Sequence, residues 1–140
     1  LREDVSDWFD FDSNSPYMLM VANVKGEHCL EMTEQEKTLF GIDKLNVPRS
    51  DIPAVTHVDY SARIQTVHRE TNPRYHALIS RFKETCGCPV VVNTSFNIQE
   101  PIVESPAQAI DCFLRSSVEW LAIGSYVCDL EWRQQVEMGS

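Results

Sequence analysis

The sequence predicts a mixed α/β (α+β) domain, and three observations support this. Two segments, 72–87 and 105–116, carry helix start signals, and the first also carries a stop signal. Short apolar runs with strand character alternate with them, and none approaches the roughly 18 apolar residues of a membrane-spanning helix. Strands that alternate with helices indicate a sheet with helices packed against it. The length of 140 residues suits a single such domain, 1–140.

The first half of the chain is predicted to contain three strands and one short helix. The predicted strands are residues 17–24, 54–58 and 62–69. Thr33 followed by Glu36 is a capping-box signature, so a helix is expected over residues 34–40. The polar stretch 42–51 is expected to be a loop.

The second half begins with the most strongly signalled helix. Asn72 is the expected N-cap, Pro73 takes the first helical position, and Gly87 ends the helix. Its core-facing residues recur at i, i+3, i+4 and i+7 and are Tyr75, Leu78, Ile79 and Phe82.

A buried strand is expected at 89–92, before a second capping signature at Ser105 and Gln108. The helix that follows should extend to about Ser116, with Ile110, Phe113 and Leu114 facing inward. Residues 120–128 are expected to form the last strand.

Net charge excludes two classes of partner. The formal net charge is −9, which opposes the counterion-release binding that dominates nucleic-acid affinity and opposes attraction to an anionic membrane. We therefore expect no nucleic acid and no membrane as partners, and a cytoplasmic location. The chain begins at Leu1 without an initiator Met or a signal pattern, so we expect it to be a piece of a longer polypeptide.

The acidic character reverses between residues 61 and 74. Arg63, Arg69 and Arg74 lie there with a single acid, Glu70. Arginine binds planar anionic groups such as phosphate through paired hydrogen bonds, so this segment suits an anionic ligand. The alternative is that these arginines pair with surface acids. Strand periodicity predicts one face with Ser61, Arg63, Gln65 and Arg69 and an opposite face with Ala62, Ile64, Thr66 and His68.

A polar loop, VVNTSFN, follows the predicted strand at 89–92. Ligands of α/β proteins bind where strands end in loops, and Asn93, Ser95 and Asn97 offer hydrogen-bond donors and acceptors there. The alternative is a turn that only stabilises the loop.

Histidine and cysteine give no metal signature. His57 and Asp59 alternate, which is compatible with an acid/base pair, with half of a metal site, or with the commoner structural hydrogen bond. Cys86-Gly87-Cys88 has one residue fewer than zinc spacing requires and no second pair follows, so we expect reduced thiols. No metal held by this chain is expected.

Three segments resemble the O-carbamoyltransferases of nodulation-factor and antibiotic biosynthesis. They are IPAVTHVDYSARIQTVHRETNPRYHALISRF (52–82), TCGCPVVVNTSFN (85–97) and EPIVESPAQAIDCF (100–113). The opening REDVSDWFD and SPYML segments are similar to the same family, so the resemblance covers nearly the whole chain and is weakest from 26 to 50.

This resemblance implies a YrdC-like domain, a twisted mixed sheet with flanking helices, truncated at its N-terminus. In the family this domain binds ATP, with Mg, and carbamoyl phosphate, and forms carbamoyladenylate. A preceding Kae1-like domain, missing here, passes the carbamoyl group to a hydroxyl. The implied partners are therefore ATP, carbamoyl phosphate and the Kae1-like domain, with a homodimer as a further option; no cofactor is expected to be held by this chain alone.

The resemblance also implies binding residues, but no catalytic residue. Ser95 and Asn97 match the family's Ser-x-Asn pair, and Arg63 matches an anion-binding arginine. Arg69, Ser61 and Asn93 are further binding candidates. We expect Arg63, Ser95 and Asn97 to converge on one face.

Two departures from the family pattern lead to further expectations. The family's Lys-x-Arg segment lies upstream of Leu1, so we expect the first residues to pack poorly. A family Gly before Glu100 is absent, so the loop after Asn97 should be rebuilt or disordered. Two hypotheses follow, an enzyme fragment or a divergent ligand-binding or interaction domain without catalysis.

Overall fold

The computed structural model describes residues 1–138, with side chains as far as residue 134. It contains two compact units, Leu1–Val92 and Asn93–Ser140, which are described separately. Helices and strands are both present, so the predicted mixed α/β class is confirmed. The described strands form two antiparallel sheets of two strands each.

The sheet of the first unit pairs β1 (Met20–Asn23) with β2 (Ser61–Ile64). Both strands are shorter than predicted, because Ser15 takes over the pairing beyond the end of β2. The backbone N–H of Thr66 donates to the Ser15 carbonyl at 2.7 Å, and the Ser15 N–H donates to Thr66 Oγ1 at 2.9 Å.

The core of the first unit lies against one face of this sheet and includes the start of the chain. Helix α1 (Val5–Trp8) buries Val5 to 5% exposure, and Asp4 is 7% exposed. The expectation that the first residues pack poorly is therefore wrong, because the apolar side chains of this segment have the sheet to pack against. The buried cluster consists of Val5, Phe9, Val24, Ile52, Ala62 and Ile64.

Two short helices follow β1. Helix α2 (Glu34–Lys37) has the predicted capping box, although it ends before residue 40. Helix α3 (Ile42–Leu45) lies where a loop was predicted. The buried side chain of Arg49 donates to the carbonyls of Lys44 and Val47, so it satisfies acceptors at the end of α3.

Two predicted strands are not strands in the structure. Residues 54–58 are replaced by a 3-10 turn, Pro53–Val55, in which Pro53 lacks the N–H that a ladder needs. Residues 89–92 have no strand partner among the described residues, although Val90 packs against the core. An apolar run forms a strand only where a neighbouring strand is available to hydrogen-bond with it, and the residue pattern alone does not show whether one is.

Helix α4 (Pro73–Cys86) has the predicted bounds. Asn72 Oδ1 accepts from the Tyr75 N–H at 3.3 Å, and Gly87 ends the helix with φ of 78°. The predicted inward stripe is partly wrong: Ile79 is buried, but Leu78 and Phe82 are 59% and 43% exposed.

The second unit has one well-capped helix, a hairpin and a final helix. Ser105 caps α5 (Pro106–Arg115), which buries Phe113 but leaves the predicted inward residues Ile110 and Leu114 half-buried. The predicted strand 120–128 is a hairpin of β3 (Leu121–Ile123) and β4 (Tyr126–Cys128), because Gly124 turns the chain with φ of 61°.

Helix α6 (Leu130–Met138), which the sequence patterns did not predict, contacts α5 through Trp132, whose ring lies 6.4 Å from that of Phe113, and through Arg133. Arg133 donates to the carbonyls of Phe113, Ser116 and Val118 at 2.7, 2.9 and 2.5 Å. Its guanidinium also lies 4.3 Å from the centre of the Phe113 ring. Among the helices described, none is both long and apolar enough to cross a membrane.

Candidate anion-binding site

Arg63 lies on the solvent-exposed face of β2. Ala62 and Ile64 are 1% and 3% exposed, whereas Arg63 and Gln65 are exposed. The predicted alternation is confirmed for these residues, because the opposite face of the strand packs on the core. The register places Val21, 58% exposed, directly across from Arg63.

The charge of Arg63 is not neutralised by a described acidic side chain. Its Nη2 donates to the Met18 carbonyl at 2.7 Å. Neither Arg69 nor Arg74 forms an ion pair with a described acid, whereas the other exposed arginines do: Arg81 with Glu84, for example, at 2.7 Å. The alternative of simple surface ion pairing therefore does not describe this segment, and Arg63 keeps its charge available for an anion.

Ser61 is on the predicted face of β2 but is 6% exposed, and its role as a binding residue stays a prediction. Its Oγ donates to Asp59 Oδ1 at 2.7 Å and lies 2.9 Å from His57 Nδ1. The turn that precedes β2 covers it. Hydrogen bonds from the Ser61 side chain and backbone hold the pKa of Asp59 below its ordinary value.

That turn has a strained residue at its centre. Tyr60 has φ of 65°, the positive region that side chains rarely adopt. Its N–H donates to the His57 carbonyl at 3.1 Å, and its hydroxyl donates to the Leu30 carbonyl at 3.1 Å. The His57 N–H donates to the Ser61 carbonyl at 2.7 Å, so the turn is closed onto the first residue of β2.

Arg69 lies beyond the end of β2, so strand periodicity does not place it on the Arg63 face as predicted. It lines an open cleft of about 630 Å³ within the first unit. The cleft is lined by Arg2, Glu3, His68, Arg69, Glu70, His76 and Ser80.

The polar loop belongs to the second unit. Asn93 and Ser95 are exposed, and Asn97 is half-buried. Asn97 Nδ2 donates to the Glu100 carbonyl at 2.8 Å. Glu100 in turn forms an ion pair with Arg115 of α5 at 2.6 Å. The loop after Asn97 is thus rebuilt without the Gly that the resemblance implies. The Asn97 amide, a predicted binding group, is one of the contacts that hold it.

The Glu100 carboxylate is strongly stabilised in its charged form. Hydrogen bonds from its own backbone N–H, from Arg115 and from the Gln99 N–H lower its pKa to about 2. The same contacts raise the pKa of Arg115, mainly through Glu100 and then Asp111. This pair fixes the loop after Asn97 to the following helix.

Comparison with known families settles the identity of the region. Residues 1–129 match the model of the family described as carbamoyltransferase C-terminus. The chain belongs to the carbamoyltransferase C-terminus family.

Individual relatives agree with this family. An uncharacterized protein of Synechocystis sp. is 48% identical over 99% of this chain and 24% of its own length. The nodulation protein NolNO of Sinorhizobium fredii is 37% identical over 91% of this chain and 16% of its own. The 3'-hydroxymethylcephem-O-carbamoyltransferase of Amycolatopsis lactamdurans is 36% identical over 68% of this chain and 14% of its own. The chain thus spans a quarter or less of each of these relatives.

The predicted binding residues of this carbamoyltransferase C-terminus lie in both units. Ser61 and Arg63 are two residues apart on β2, and Arg69 lines a cleft in the same unit. Asn93, Ser95 and Asn97 belong to the second unit. The convergence of Arg63 with Ser95 and Asn97 stays a prediction. Across the residues that the structure describes, no three His, Cys, Asp or Glu side chains are grouped to hold a metal.

Sequence patterns missed the contacts that hold the start of the chain on α4. Glu3 Oε1 lies 2.7 Å from Nε2 of the buried His76, and Asp4 Oδ1 accepts from Lys83 Nζ at 2.6 Å. Burial opposes ionisation of Glu3, but its backbone hydrogen bond and His76 outweigh this and lower its pKa. The sequence does contain two adjacent acids, Glu3 and Asp4, and two basic residues, His76 and Lys83, that lie two helical turns apart on one helix face. Nothing in the sequence pairs the acids with these two residues.

Proposed function

We propose that the full-length protein is an O-carbamoyltransferase and that this region takes part in forming carbamoyladenylate from ATP and carbamoyl phosphate. The observation that carries the proposal is Arg63, an exposed arginine without an acidic partner among the described residues of a chain of net charge −9. Membership of the carbamoyltransferase C-terminus family supports it. The acceptor would be a hydroxyl compound that other parts of the protein select.

The reaction balances as two displacements. Water releases carbamate and phosphate from carbamoyl phosphate, and a carbamate oxygen then attacks the α-phosphorus of ATP while pyrophosphate leaves. Arg63 would neutralise phosphate charge in both steps, and Arg69 offers a second guanidinium in the same unit. Ser95 and Asn93 offer hydrogen bonds from the second unit, as does the Oδ1 of Asn97.

Mg²⁺ is expected to accompany ATP. It is held mostly by substrate phosphates and one or two carboxylates, so it needs no cage of protein ligands. We assign no step of the reaction to a metal bound by this chain.

The second candidate is a divergent ligand-binding or interaction domain without catalysis. The observation in its favour is the Asn97 amide, whose nitrogen donates to the Glu100 carbonyl and so stabilises the loop. A side chain that is held by a hydrogen bond within its own loop is less free to reorient towards a substrate during a reaction.

Pyrophosphate release by the full-length protein separates the two candidates. The enzyme should release pyrophosphate when ATP and carbamoyl phosphate are both present, and neither substrate alone should sustain it. Binding of ATP without pyrophosphate release, across a panel of hydroxyl acceptors, would instead establish the non-catalytic candidate.

A further inference from the structure

The turn before β2 orients the imidazole of His57 through two polar neighbours. His57 and Asp59 do not share a strand, since residues 54–58 form no strand, and the recorded hydrogen bonds connect them through Ser61. His57 and Asp59 are exposed, whereas Ser61 is buried beneath them.

Hydrogen-bond chemistry fixes which imidazole nitrogen carries the proton. The Asp59 carboxylate only accepts, so the single hydroxyl proton of Ser61 goes to Asp59 over 2.7 Å. Ser61 Oγ must then accept from His57 Nδ1 over 2.9 Å. In the neutral ring Nε2 therefore has a free lone pair, and no hydrogen bond to Nε2 is recorded among the described residues.

His57 lies at the end of the face that carries Arg63. Side chains two residues apart on a strand point to the same side, so Ser61 and Arg63 share a face. The imidazole is hydrogen-bonded to the hydroxyl of Ser61 and so covers that end of the face. The backbone of Arg63 lies about 7 Å further along the strand, and its guanidinium, which donates to the Met18 carbonyl, is the cation of the same face.

We propose that His57 is the general base for the water that attacks carbamoyl phosphate, an inference that rests on the proposed function. As the water oxygen bonds to the carbamoyl carbon, a water proton moves to His57 Nε2. The bond from that carbon to the phosphate oxygen breaks, and phosphate leaves with the electron pair. The carbamic acid that forms gives its remaining hydroxyl proton to the departing phosphate and so becomes carbamate, the nucleophile for ATP, and the proton on Nε2 is then lost to solvent. Ser61 and Asp59 are positioning residues, because they keep the proton on Nδ1.

A metal-ligand role for His57 has no support, because the described residues contain no cluster that would complete a site. A purely structural role would need only the Nδ1 hydrogen bond to Ser61. The two roles therefore differ in one atom, and a substitution that keeps the Nδ1 donor and removes Nε2 distinguishes them.

His57→Asn in the full-length protein is that substitution, because the asparagine amide retains a donor for Ser61 and offers no base. Pyrophosphate release is measured with ATP plus either carbamoyl phosphate or ammonium carbamate, which supplies the nucleophile directly. With carbamoyl phosphate the rate should fall by about 100-fold or more. With carbamate the variant should match the wild type. His28→Asn, outside this face, is the control and should behave as wild type with both donors.

Ser61→Ala is the second variant and should show a smaller loss, again only with carbamoyl phosphate. Full activity of His57→Asn, or an equal loss of Ser61→Ala with both donors, rules out the base role and leaves the proposed function intact. Wild-type protein that uses carbamoyl phosphate but not carbamate also rules it out. Wild-type protein that releases pyrophosphate with neither donor overturns the proposed function itself.

Discussion

At the scale of single residues, solvent exposure differs among the members of the predicted site. Arg63 and Ser95 are exposed, whereas Ser61 is buried under its turn and Asn97 supports its own loop. Strand periodicity predicted correctly which face of β2 carries Ser61, but it did not predict that the preceding turn buries this side chain. The cover comes from a turn with a positive φ at Tyr60, a conformation that no pattern in the sequence indicates for a tyrosine.

Replacement of Arg63 by alanine should weaken ATP or pyrophosphate binding to the full-length protein. A charged hydrogen bond to phosphate contributes about 1.5–3 kcal/mol, so a loss of that size is expected by calorimetric titration. Arg81→Ala is the matched control, because Arg81 is an exposed arginine whose only recorded side-chain partner is Glu84 of the same helix. Equal losses for the two variants would show that Arg63 acts only through overall charge.

Arg133, which is far from Arg63 in the sequence, would be an unsuitable control for this measurement. Its guanidinium donates to the Ser116 and Val118 carbonyls between α5 and β3, for which no other donor is recorded among the described residues, so its removal would lower stability.

At the scale of elements, the helices were more predictable than the strands. Asn72, Pro73 and Gly87 are local signals, and α4 begins and ends where they indicate. The run at 89–92 has strand composition but no partner, and α3 depends on the side chain of Arg49 four residues beyond its end. Such contacts arise between segments, so periodicity within one segment does not reveal them.

The loop between Asn97 and α5 should loosen in acid. The pKa of Glu100 is about 2, below its ordinary value of 4.5, so the charged carboxylate stabilises the folded second unit fully above pH 4.5. That stabilisation should disappear as the pH falls from 4.5 towards 2. Urea midpoints of the wild type and Glu100→Gln should therefore differ at pH 7 and converge near pH 2.

Glu104→Gln is the control for this titration, because no ion pair of the Glu104 carboxylate is recorded among the described residues. A gap between wild type and Glu100→Gln that persists unchanged at the acid end would mean that the carboxylate charge does not stabilise the loop.

At the scale of the whole molecule, the chain represents a quarter or less of the relatives it matches. Its predicted binding residues are distributed over two compact units, and the boundary between the units follows Val92. The sequence predicted a strand at 89–92 and gave no sign of a boundary there. The mixed α/β class and the family were predictable because they depend on motifs that extend along nearly the whole chain.

The 140-residue chain alone should form no carbamoyladenylate. Its residues contain no Lys-x-Arg run of the kind that the family resemblance implies for this site. Removal of preorganised charge from a phosphoryl-transfer site costs orders of magnitude in rate. Incubation with ATP and carbamoyl phosphate, followed by mass spectrometry for the adenylate, tests this against a sample without protein. Adenylate above that background would show that Arg63 and the polar loop suffice.

The two contacts between the start of the chain and α4 have a consequence for local unfolding. Glu3 with His76 and Asp4 with Lys83 join one short segment to two successive parts of the same helix face. The terminal ammonium of Leu1 also donates to the Pro89 carbonyl at 3.1 Å, beyond the end of the helix. Because the first four residues are held both along α4 and after it, the helix and the start of the chain should open as one cooperative unit.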